Sequence, residues 1–385
     1  MKYDFDEIIP RRGSNSYKWD SKPDNFVLPM WVADMDFRTA QPIIDRLEKR
    51  VRHGIFGYAK VPDSYYEALI FWFLKHYDFN IRKEWILYTS GVVPALSAVI
   101  KALTSPGDKV IVQEPVYNCF FSSIRNNGCE TVSNDLIYEN GCYTIDFDDL
   151  EAKASDPKTR VMLLCNPHNP VGRVWTTEEL TRIGEICLRH QVKIISDEIH
   201  CDLVHPGFEH IPFASLNHDF LQHSVTCTAP SKTFNLAGIQ VANIIAPDEE
   251  IRRKIDKSLN INEVCEINVF AIEALIAAYD EGEEWLIQLK EYLNQNYQFL
   301  KTFINTNLPR LKVLPLEATY LVWIDCKALG IPSSGIAQLL LEKEKVWVNE
   351  GTLYGDNGEG FIRLNMACPR QLLSDGLNAI KNIFG

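Results

Sequence analysis

The sequence holds no apolar run approaching the ~18 residues that a membrane-spanning helix needs. Its first residues, Met1-Lys2-Tyr3-Asp4-Phe5-Asp6, lack the apolar stretch of a secretory leader. A spanning helix is excluded on that reading, and a cytoplasmic protein is expected. Positive charge is in deficit, because 39 Lys and Arg stand against 51 Asp and Glu for a net charge of -12. Nucleic acids and anionic membrane surfaces are recognised through basic footprints, so neither is expected as a partner. There is no Cys-x-x-Cys pair among the ten cysteines. That removes a zinc ribbon, and the scatter of cysteines in apolar contexts such as Leu164-Cys165 suits small core fillers in a reducing compartment. Internal repeats, low-complexity tracts and a His-Glu-x-x-His helix are also missing.

What is present is a chain of 385 residues, 46% hydrophobic and 23% charged. At ~150 residues per domain, two or three domains are expected, or one large domain with an appendage. Up to about residue 45 the chain is irregular and rich in Pro, Asp and Trp, as a segment that wraps over another body. In the middle, short apolar runs at 109–112, 161–164 and 193–196 alternate with amphipathic helical patterns. Such runs predict buried strands of a mostly parallel sheet. Thr176-Thr177-Glu178-Glu179 predicts a capped helix start. A long helical region is expected from near Asp248, with Trp285, Leu289, Leu293, Leu300 and Ile304 on one stripe of its latter part. Strands are expected at 320–324 and 345–348, and helices at 337–343 and from Arg370. The fold class is therefore α/β: a large domain with a mostly parallel central sheet flanked by helices, plus a small α+β domain from both termini. The expected boundaries are 1–45 for a segment joining the small domain, 46–283 for the large domain, and 284–385 for a long connecting helix and the small domain.

Four segments fall at the expected ends of strands or starts of helices, where open α/β sheets hold ligands. Asn166-Pro167-His168-Asn169-Pro170-Val171-Gly172 is a rigid turn able to present Asn169. Asp197-Glu198-Ile199-His200-Cys201-Asp202 offers an acid for a ligand cation, or metal ligands with His205 and His210. In Pro230-Ser231-Lys232-Thr233-Phe234-Asn235, a lysine sits among small and apolar residues. Burial lowers the pKa of such an amine and makes it a Schiff-base nucleophile. Gly91-Val92-Val93 opens a helix whose free amides can take an anion. Together they place a phosphate on Gly91, Val92 and Val93, an aldehyde on Lys232 and a ring nitrogen on Asp197. Asn169 and His200 then flank the ring. Pyridoxal 5'-phosphate requires such a set.

In order and spacing these segments resemble the fold-type I enzymes of the aspartate aminotransferase superfamily, over essentially the whole chain. The resemblance implies that Lys232 forms the Schiff base, Ser231 contacts the phosphate and Asp197 partners the ring nitrogen. Asn169 would lie near the ring hydroxyl and the substrate carboxylate. It implies that Tyr117 stacks on the ring and that Arg363 grips the α-carboxylate of an amino-acid substrate. Tyr58 would reach the cofactor and substrate of a neighbouring subunit, so a homodimer with shared sites is expected. Two positions depart from the aminotransferase pattern. His200 stands where a tyrosine is common, and Gln240 where aspartate aminotransferase has a phosphate-binding arginine. The stretch Pro29-Met30-Trp31-Val32-Ala33-Asp34-Met35-Asp36-Phe37 resembles the MalY/PatB group of cystathionine β-lyases, with Ala33 as a substrate contact. That group implies β-elimination from an L-cysteine S-conjugate. Lys232 would take the Cα proton, and Lys232 or a tyrosine such as Tyr117 would protonate the leaving thiolate. The alternative on the same site is a class I/II aminotransferase. A metal-dependent hydrolase would leave Lys232 and the Asn169 turn unexplained, and a non-catalytic regulator would not need Lys232, Asp197 and Arg363 together.

Overall fold

The computed structural model describes residues 2–261 and 266–385. Seven strands build the central sheet: β1 Ile86–Thr89, β2 Lys109–Val112, β3 Glu130–Ser133, β4 Thr159–Cys165, β5 Lys193–Asp197, β6 Ser224–Thr228 and β7 Ala242–Ile245. Their spatial order is β1-β7-β6-β5-β4-β2-β3. The pairs β6–β5, β5–β4, β4–β2 and β2–β3 are parallel. Only β7 runs against its neighbours β1 and β6. Six strands therefore point one way and deliver their carboxyl ends to one edge.

Alternation along the strands explains why both faces are covered. Val161 and Leu163 of β4 pack with Ala95, Leu96 and Val99 of the helix Val92–Leu103. Met162 and Leu164 point the other way, onto Leu180, Ile183 and Cys187 of the helix Thr177–Arg189. A strand buried on both faces has to read as a continuous apolar run, as β4 does. The helix Thr177–Arg189 starts with a full capping box between Thr176 and Glu179, as its sequence predicts.

The second body has a four-stranded antiparallel sheet with Leu321–Asp325 and Phe361–Asn365 at its centre. The helices Ser333–Glu344 and Arg370–Phe384 pack together beside it. The N-terminal segment joins this body, since Leu28-Pro29 pairs in parallel with Val346-Trp347. Two expectations need correction. The helical region from Asp248 is three helices, Glu249–Asn260, Val269–Glu281 and Glu283–Asn307. Residues 262–265 within it lie outside the described residues. Gly282 keeps right-handed helical angles (φ -87, ψ -9), so the apolar period runs on through the last break. The strand expected from Lys345 begins at Val346, because Lys345 is left-handed (φ 60) and caps the preceding helix.

Among the described residues no helix is long and apolar enough to cross a membrane, and the nine described cysteines are unpaired.

Candidate active site

At the carboxyl edge of the sheet the chain closes around a cavity of about 390 Å³. Register lines up its floor, because Cys165 of β4 lies opposite Asp197 of β5, and Asp197 opposite Cys227 of β6. Asp197 ends its strand, and the turn after β4 carries Asn169. Shortly after β6 the helix Pro230–Thr233 presents Lys232. Beyond β1, Gly91 leads into the helix Val92–Leu103. The turn after β4 is pinned to the second body, with Glu317 N and Ala318 N donating to Gly172 O at 2.9 and 3.1 Å. Gly172 has φ +76, and a Cβ there would come within 2.7 Å of Leu316, so glycine is needed twice over.

Lys232 Nζ donates to the Ala33 carbonyl at 2.7 Å, and Tyr320 OH donates to the same oxygen at 3.0 Å. Enclosure by protein lowers the Lys232 pKa to about 8. The Arg363 cation adds to that, while Asp34 and Asp197 oppose it. The same enclosure raises Asp197 to about 7, against a 3.2 Å hydrogen bond from Ile199 N and the nearby Lys232. His200 is held neutral at about 3, by burial first and then by the Lys232 and Arg363 charges. Its Nδ1 has no hydrogen-bond partner, and neither does Arg363 Nε. Arg363 comes from the strand Phe361–Asn365 and is aimed by Asn169 Oδ1 (3.1 Å), Trp31 O (2.9 Å) and the Tyr354 ring, 4.7 Å away. Burial pushes the Tyr117 hydroxyl well above the usual tyrosine range, with Cys119 beside it.

Residues 30–37 wall one side of the cavity. Asn365 Nδ2 donates to Val32 O at 2.6 Å and to Asp34 O at 2.7 Å. Asn235 takes Met35 N at 3.0 Å and donates to Met35 O and Phe37 O, both at 3.0 Å. Underneath, Arg11 pairs with Asp34 (2.7 Å) and Asp36 (2.6 Å), and the buried Lys18 with Asp36 (2.7 Å).

Of the residues named from sequence, the cavity brings together Ala33, Gly91, Val92, Val93, Tyr117, Asn169, Asp197, His200, Ser231, Lys232 and Arg363. Tyr58 stands apart and is 96% exposed. The exposed Gln240 does not line the cavity. His205 Nε2 meets Thr319 O at 2.9 Å, His210 Nε2 meets Glu198 at 3.1 Å, and Asp202 accepts from Trp72 and Thr233. These groups point to different partners, and among the described residues no set of three His, Cys, Asp or Glu could hold a metal. A wider groove of about 730 Å³ is lined by Asp202 and His210 and not by Lys232. Sequence reading missed Tyr17, Cys119, Asn349 and Leu353 of the lining. No local pattern marks them, since they come from three distant stretches of chain.

The donor set suits pyridoxal phosphate. The helix Val92–Leu103 has no side-chain cap at its start, so its first amides are free for a phosphate. Gly91 is extended (φ 168), a conformation open to any residue. What the position supplies is the missing side chain. Lys232 offers an amine for an aldehyde, and the buried Asp197 calls for a cationic partner such as a protonated ring nitrogen.

The aminotransferase class I and II family model matches residues 30–380. Cystathionine beta-lyase PatB of Bacillus subtilis (strain 168) is 45% identical over 381 residues, 98% of this chain and 98% of that protein. A pyridoxal phosphate-bound protein of Clostridium difficile 630, provisionally described as an aminotransferase, is 43% identical. It superposes with a TM-score of 0.97 over 100% of both chains. Cystalysin from Treponema denticola, whose structure contains pyridoxal 5'-phosphate, is 35% identical, with a TM-score of 0.96 over 99% of this chain and 98% of that one.

Proposed function

The chain belongs to the class I and II aminotransferase family, and on that premise we propose that it is a pyridoxal phosphate-dependent carbon–sulfur β-lyase. With one water consumed, it cleaves L-cystathionine or a related L-cysteine S-conjugate to a thiol, pyruvate and ammonia. The observation that carries this reading is the enclosed Lys232, facing a cavity in which Asp197 and Arg363 are the other charges among the described residues. The likeness to PatB over the full chain favours elimination over transamination.

In this reading the amides of Val92 and Val93 beside Gly91, with Ser231, hold the phosphate. Tyr117, Asn169 and His200, which line the same cavity, would hold the ring. Asp197 holds the proton on the ring nitrogen. The cofactor, when bound, supplies the sink for the electron pair released at Cα. Arg363 and Asn169 grip the α-carboxylate, with Ala33 at the edge of the substrate. Lys232 Nζ would hold the cofactor's aldehyde and, when freed, is the base placed to take the Cα proton. Lys232 or Tyr117 returns a proton to the leaving sulfur, and such positioned transfers contribute roughly 10²–10⁴-fold each. Residues 1–45 and 284–385 make the small domain and 46–283 the large one. The enzyme works as a cytoplasmic homodimer, in which Tyr58 reaches the neighbour's cofactor and substrate.

The test is a visible absorbance spectrum of the purified protein before and after L-cystathionine, with pyruvate assayed in the same cuvette. A visible band with pyruvate and thiol release is expected. A band that bleaches without pyruvate, and returns on adding a 2-oxo acid, would reassign the chain as a transaminase.

A further inference from the structure

The lining of the cavity narrows the substrate class, on the premise that the lyase reading holds. We infer that the enzyme prefers L-cysteine S-conjugates with an uncharged, apolar or aromatic S-substituent over L-cystathionine, whose distal end is an amino acid carrying both charges.

The charged side chains lining the cavity, among the described residues, are Lys232, Asp197 and Arg363. The cofactor and the α-carboxylate employ all three. The rest of the described lining carries no other Lys, Arg, Asp or Glu, and an S-substituent would lie along the part of it that includes Tyr17, Trp31, Val32, Cys119, Asn349 and Leu353. Its centre is a fixed aromatic surface. The Trp31 indole stacks on Trp347 at 4.1 Å with a 14° interplanar angle, and Tyr17 packs against it at 5.1 Å. Trp31 Nε1 is already satisfied by Lys18 O at 3.3 Å. Asn349 brings no charge: its Nδ2 donates to Trp31 O (3.1 Å) and Tyr354 OH (2.8 Å), which leaves Oδ1 as a neutral acceptor.

Nearby charges are occupied elsewhere. Arg11, Lys18, Asp34 and Asp36 neutralise one another under the wall. Lys22 lies over the Trp347 ring at 4.8 Å. A distal carboxylate and ammonium pressed on this wall would lose water without gaining an opposite charge from it. An apolar or aromatic group gains burial and ring contact there, on a surface that needs no ordering.

The test compares kcat/KM for S-benzyl-L-cysteine, S-methyl-L-cysteine and L-cystathionine, reading pyruvate in each case. S-benzyl-L-cysteine is expected to exceed L-cystathionine by about tenfold or more. Trp31→Ala should lower the S-benzyl value more than the S-methyl value, reducing the ratio of the two about tenfold. Leu353→Arg, at an exposed rim position that does not threaten folding, should raise the L-cystathionine value. Cystathionine turnover equal to or above that of S-benzyl-L-cysteine overturns the inference and leaves the lyase standing. A visible band with no pyruvate from any of the three removes the lyase reading and the inference with it.

Discussion

Lys232 has an amine that is more reactive at neutral pH than an exposed lysine, because burial and Arg363 hold its pKa down to about 8. Only the neutral amine attacks an aldehyde, and it is populated above that pKa. The rate at which cofactor-free protein takes up pyridoxal phosphate should therefore rise with pH through about 8 and then level. An unperturbed lysine would keep accelerating toward ~10.4. Following the visible band after mixing, from pH 6.5 to 10, distinguishes the two, and Lys232→Ala should give no band at any pH. At this scale the sequence was informative wherever a residue sits next to a strand end. Asp197, Asn169 and Lys232 stand at or just past β5, β4 and β6, so local chemistry pointed to them. Asn349 and Leu353 reach the cavity only through the pairing of the second body's strands, which leaves no local mark.

Among the elements, the N-terminal strap at 30–37 depends on two asparagines more than on its own pattern. Asn235 satisfies three backbone groups of the strap while sitting at φ 56, a left-handed position that asparagine tolerates. Asn235→Ala removes the partners and strains the backbone. It should cost about 2–3 kcal/mol in urea unfolding and raise KM, since Ala33 and Trp31 lie in the same strap. An urea midpoint unchanged from the parent would mean that the strap is held from elsewhere. The apolar runs of β2, β4 and β5 were legible because strands covered on both faces must be hydrophobic throughout. The end of the helix Val269–Glu281 was not, because Gly282 stays helical and the stripe continues into the helix Glu283–Asn307. A Cβ at residue 282 would meet the Phe234 ring at 2.5 Å, a contact from a distant stretch of chain that local periodicity does not report.

On the scale of the molecule, alternating runs and helices were enough to read the architecture, whereas the reversed strand β7 left no trace in local periodicity. The proposed homodimer gives the exposed Ile55, Phe56 and Tyr58 a purpose, since side chains of this kind seldom cluster on a face that meets only water. Ile55→Asp combined with Phe56→Asp should sediment as a single 44.1 kDa chain and lose most of its turnover. A dimeric, fully active double variant would place the interface elsewhere. The strap also bears on synthesis. Trp31, Val32 and Asp34 are fastened by Arg363 and Asn365, more than 330 residues further along the chain. A nascent chain has Lys232 and Asp197 outside the ribosome long before it has the strand that closes their cavity. Competence thus waits for the strand Phe361–Asn365, and a product stalled or clipped before Phe361 carries Lys232 without the enclosure and the Arg363 charge that lower its pKa.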